Sequence, residues 1–126
     1  MWRSIMTFGV VVGMAAAPSQ GPGIRTVMRE KLEHTQKILE AVVTSDWSSL
    51  ETHSRELERL TNDPRWMVLK YPEYAQHSAA FVRAVQALHT AAAQRDLEET
   101  PKAYNNLTLQ CVACHRYLAR ARIAGD

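Results

Sequence analysis

The sequence predicts an all-α chain folded as an antiparallel four-helix bundle. Three observations carry that expectation. Apolar residues recur every three or four positions in four separate stretches. Ala, Leu, Glu and Arg are abundant, a composition that favours helix. No stretch alternates polar and apolar residues with the period of a strand. Four amphipathic helices with short connectors bury their apolar stripes most simply against one another.

Ahead of the helices, Arg3 is followed by an uncharged run from Ile5 to Ala17. That run has the length of a signal-peptide core and falls short of the roughly 20 residues needed to span a bilayer. Pro18 disfavours cleavage directly after Ala17, and the small residues Ala17 and Ser19 favour cleavage after Ser19. The expected organisation is a signal peptide over 1–19 and one domain over 20–126, exported to a bacterial periplasm. An uncleaved anchor, with Trp2 at the interface, is the alternative; Gly9, Gly13 and Pro18 weaken it.

Gly21-Pro22-Gly23 is a breaker, and the first helix follows over about 24–44. Its apolar stripe is Ile24, Met28, Leu32, Thr35, Leu39 and Val42, with charged residues between. Thr44-Ser45-Asp46 is a polar turn able to cap a second helix over 47–61, with Trp47, Leu50, Leu57 and Leu60 inward. Asn62-Asp63-Pro64 ends it. The connector 62–72 contains Trp66, Met67, Val68 and Leu69, apolar enough to fold back on the core. Pro72 suits the first turn of a third helix, which presents Tyr74, His77, Phe81, Ala84 and Leu88 and runs to about Gln94. Asp96, with Glu99 three residues on, caps a fourth helix over 97 to about 122. Pro101 sits awkwardly in that span, which moves the start toward Thr100.

At 126 residues the chain makes one domain. Its 46% hydrophobic and 22% charged residues exclude a disordered chain and a multi-span membrane protein. A net charge of +2, from 15 basic and 13 acidic residues, excludes a dedicated nucleic-acid binder. Two cysteines three residues apart exclude a disulfide framework.

Those cysteines carry the chemistry. Cys111-Val112-Ala113-Cys114-His115 is a C-x-x-C-H attachment signature for a c-type haem. On a helix this spacing sets both thiols on nearly one side, within reach of the two vinyl groups on one porphyrin edge. The His115 imidazole follows at once and can bind iron from the proximal side. A redox dithiol would call for a βαβ frame, and a zinc site for a second pair of ligands; the sequence offers neither.

Around this motif the chain resembles the class II cytochromes c, the group that includes cytochrome c-prime. The resemblance spans about Ile24 to Ile123 and is closest from Phe81 to His115, with Leu88, the Ala run 91–93 and Asp96-Leu97 in the family layout. The segment 24–32, IRTVMREKL, resembles the haem-facing part of the family's first helix. The resemblance implies a left-handed bundle of the cytochrome c-prime type, one haem c between first and last helices, and electron transfer or small-gas binding in the periplasm. It places Met28 where low-spin members carry a distal methionine. Leu118 and Ala119 stand where members often have an aromatic and a basic residue.

Met28 either ligates iron, favouring Fe(II), or only packs above an open site. His53 and His77 are minor candidates for the distal position, and Met67 is a remote one; His34 and His89 read as surface. Trp47, Trp66, Tyr74 and Phe81 are expected in the core, lining the porphyrin, with Tyr104 either packed or at the haem edge. Arg116, Arg120 and Arg122 either offset the helix dipole or meet an acidic partner or the propionates. No catalytic constellation is evident, so an enzyme is not expected. The leading expectation is a periplasmic electron carrier that meets redox partner proteins. The alternatives are a five-coordinate protein binding nitric oxide or carbon monoxide, and a haem subunit of a membrane complex. A homodimer through the first two helices is open.

Overall fold

The computed structural model describes residues 22–66 and 69–124. The expected leader over 1–19, Met67 and Val68 lie outside the described residues, as do the side chains of Arg122 and Ile123. Four helices account for the architecture: α1 Pro22–Thr44, α2 Trp47–Thr61, α3 Pro72–Ala93 and α4 Glu99–Ala124. No strand occurs among the described residues. Nor is any helix among them long and apolar enough to cross a membrane.

α2 has the bounds that the sequence predicts, and α3 stops one residue earlier than expected. α1 starts two residues early because Pro22 needs no N–H partner in a first helical turn. α4 starts two residues late, at Glu99. The Asp96 carboxylate accepts hydrogen bonds from the backbone N–H groups of Glu98 and Glu99, both at 2.9 Å. That cap puts Pro101 in the first turn, where its missing donor does no harm.

α1 and α3 end in the same way. Ser45 and Arg95 adopt left-handed backbone, with φ of 56° and 52°. The next residue's N–H reaches back to the carbonyl that opens the last turn, Asp46 to Ala41 at 2.9 Å and Asp96 to Ala91 at 3.1 Å. Each of these aspartates then caps the following helix; Asp46 accepts from Ser49 N at 3.1 Å and Ser49 Oγ at 2.7 Å. One aspartate therefore closes one helix with its backbone and opens the next with its side chain.

The helices pack in chain order, α1 on α2, α2 on α3 and α3 on α4, and α1 meets α4 along a much sparser seam. This pattern is consistent with a helical bundle. The core joins Val27, Ile38 and Ala41 of α1, Leu50, Leu57 and Leu60 of α2, Tyr74, Phe81, Val85 and Leu88 of α3, and Leu107 of α4. The connector folds back as expected. Trp66 is buried, its indole N–H donates to Ser78 Oγ at 3.2 Å, and its carbonyl accepts from the Tyr74 hydroxyl. Its ring meets Phe81 edge-on at 5.0 Å.

α1 is turned relative to the expected stripe. The inward row is Val27, Lys31, His34, Ile38 and Ala41, of which Val27, Ile38 and Ala41 are buried and Lys31 and His34 half-buried. Leu32 and Leu39, expected inside, are 57% and 46% exposed. The inward row holds a lysine and a histidine, so its apolar signal is weaker than that of the row beside it.

Left-handed backbone is costly for any residue with a Cβ, and glycine removes that cost. Arg95→Gly is therefore expected to stabilise the fold by about 0.5–1 kcal/mol in a denaturant titration. An unchanged or lower midpoint would contradict this account of the α3–α4 turn.

Candidate functional site

α4 faces the interior with Thr100, Tyr104, Leu107, Cys111, Cys114 and Leu118, which follow one another at alternating steps of four and three. Thr100 and Leu107 are buried, and the other four are half-buried. Both cysteines are free thiols. Their spacing of three residues, a little under one turn, holds them side by side on the inward row. His115, one residue further round the helix, is exposed. The sequence-predicted triad is thus split by helix geometry: two sulfurs inward and one imidazole outward at the same level.

Across the sparse α1–α4 seam stands Lys31. Its Nζ lies 3.7 Å from the ring centroid of Trp66 and 3.7 Å from that of Phe81. Among the described residues it has no carboxylate partner. Burial lowers its pKa to about 8, against a smaller opposing pull from Cys111 and Cys114. The same proximity is felt by the thiols. Burial raises both of their pKa values, and the Lys31 charge offsets part of that rise. Both thiols are therefore neutral at pH 7 and make poor redox nucleophiles.

Tyr74 and Tyr104 border this region. Each phenol has its pKa raised first by burial; a nearby cysteine, Cys114 for Tyr74 and Cys111 for Tyr104, adds a smaller push. Met28 is half-buried, three residues before Lys31 and off the inward row. Phe81, Trp66 and Tyr74 are core residues, as the sequence predicts, and Trp47 and Tyr104 pack against the core.

The other histidines are engaged elsewhere. His34 and His53 bring their Nδ1 atoms to 3.0 Å across α1 and α2. His77 lies 5.2 Å, centroid to centroid, from Tyr117 of α4. His89 meets Glu58 at 3.1 Å. His34 and His89 are thus half-buried and paired, not free surface groups. Among the described residues, no three of His, Cys, Asp or Glu gather in a metal-holding cluster.

Lys31 is the site residue that sequence reasoning missed. Its signal was present, four residues after Val27 and seven before Ile38. A charge among charges on an amphipathic helix reads as solvent-facing until the helix phase is known. No protein family, curated protein or solved structure matches the chain.

The His34–His53 pair makes the fold acid-sensitive. Burial, and then the charge of His53, lower the His34 pKa below 6.5. The unfolded chain therefore takes up this proton at a higher pH than the folded one does. The His34 contribution is complete above pH 6.5 and is lost as pH falls through the folded value. Denaturation midpoints should be lower near pH 5 than near pH 7.5, and His34→Gln should shrink that difference. Equal pH dependence in the two proteins would contradict this role.

Proposed function

We propose that the protein is a periplasmic c-type monohaem cytochrome that carries electrons, folded as an antiparallel bundle of the cytochrome c-prime type. The observation that carries this reading is the placement of C-x-x-C-H on α4. Cys111 and Cys114 lie on the inward row beside the loosest seam of the fold, near Lys31, Tyr74 and Tyr104. The residues present fit one haem. The two thiols match the two vinyl groups of one porphyrin edge, and His115 supplies a nitrogen ligand.

When bound, haem supplies a reversible Fe(III)/Fe(II) couple. The chain's own part is to hold and shield it. Cys111 and Cys114 would each hold it through one thioether bond to a vinyl group, a sulfur–hydrogen addition without net oxidation. Attachment through two residues of one helix turn fixes that edge to α4. Trp66, Phe81 and Tyr74 supply apolar, hydrogen-bonded walls that keep water from the inner face, and a dry setting of this kind tunes the potential. His115 faces outward, so its second ring nitrogen is open to solvent or a redox partner.

Met28 is the distal candidate that the resemblance supplies. Its half-buried place beside the inward row favours a second reading, in which it only packs and the distal side binds nitric oxide or carbon monoxide.

The test is production of the whole chain with periplasmic haem maturation. We expect a red protein whose pigment stays on the chain through denaturing electrophoresis. Cys111→Ser and Cys114→Ser should each keep one thioether and shift the pyridine haemochrome band to longer wavelength; the double variant should lose covalent haem. A double variant that holds pigment as firmly as the natural chain would overturn the proposal.

A further inference from the structure

We infer that the Lys31 amine would supply the second iron ligand of the bound haem, giving with His115 a nitrogen–nitrogen ligand set. The inference deepens the haem reading above and rests on it.

The geometry leads there in three steps. α1 is turned so that Lys31, and not Met28, stands on its inward row, between Val27 and His34. The Lys31 side chain ends against Trp66 and Phe81, near enough to Cys111 and Cys114 of α4 to exchange electrostatic influence with them. Its Nζ is held over two aromatic faces, those of Trp66 and Phe81, each 3.7 Å away. Those faces are locked in turn, Trp66 through Ser78 and Tyr74, and Phe81 through its buried edge contact with Trp66.

A half-buried ammonium with no carboxylate partner among the described residues is an unsettled group. Aromatic faces attract it, but more weakly than full hydration or an ion pair does. Release of its proton leaves a neutral amine with a free lone pair, the form in which a desolvated lysine acts as a base or donor. Coordination would use that lone pair for one nitrogen–iron bond and leave the proton with water, with no electron changing hands.

The experiment is near-infrared magnetic circular dichroism of the ferric, haem-loaded whole chain, with Lys31→Ala, Lys31→Arg and Met28→Ala beside it. Pyridine haemochrome spectra and far-ultraviolet dichroism confirm that each variant carries covalent haem and remains helical. We expect the charge-transfer band of nitrogen–nitrogen ligation in the natural protein and in Met28→Ala. Both Lys31 variants should lose that band and turn high-spin. Lys31→Arg keeps charge and length but cannot ligate, so it serves if Lys31→Ala fails to fold. A far-red methionine–iron band abolished by Met28→Ala, or a high-spin natural protein, overturns the lysine assignment and leaves the haem reading standing. Retention of the nitrogen–nitrogen band in Lys31→Arg also overturns it. A chain without covalent haem overturns both.

Discussion

A half-buried cation on α1, set against Trp66 and Phe81, is the constraint around which the interior is arranged. Removing an ammonium from water costs several kcal/mol unless something replaces its hydration. Here two aromatic faces do so in part, at about 1–2 kcal/mol each. The walls of that cage come from different places in the chain, Trp66 from the α2–α3 connector and Phe81 from α3. Tyr74 and Ser78 pin the connector so that Trp66 stays in place. The connector's apolar character, the turned phase of α1 and the sparse α1–α4 seam all meet at this one group.

The α1–α4 seam differs in kind from the other three helix contacts. The α1–α2 and α3–α4 hairpins are each closed tightly by a left-handed residue and a double-duty aspartate. Apolar side chains fill α2 against α3. Toward α4 the inward row of α1 instead carries Lys31, and α4 brings two small thiols. Side chains of that kind do not make a close-packed hydrocarbon interface. A porphyrin would supply the missing apolar mass there, and the fold and the attachment chemistry would then share one set of residues.

Much of this was legible in the sequence, for physical reasons that can be named. α2 was readable to the residue because Asp46 is a strong cap and Asn62-Asp63-Pro64 a strong stop. The C-x-x-C-H spacing carried the candidate site, since covalent chemistry on a helix demands a fixed interval. The phase of α1 was not legible. Two rows of that helix compete, and the more apolar one, with Leu32 and Leu39, faces outward. Apolar periodicity identifies a helix well and its inward face only when that face lacks charge. Lys31 therefore stayed hidden, and Met28 drew attention that its half-buried position only partly supports.

The pairing of His34 with His53 was hidden for a related reason. A contact between residues 19 positions apart depends on how two helices rotate against each other. Local spacing carries no record of that rotation.

The central claim is that Cys111 and Cys114 hold one haem by permanent bonds. Mass spectrometry of the mature chain under denaturing conditions, followed by peptide mapping, tests it most directly. The account predicts an increment of a single haem, carried by the peptide that contains Cys111 through His115. A chain at its bare polypeptide mass, or haem found on any other peptide, would contradict it.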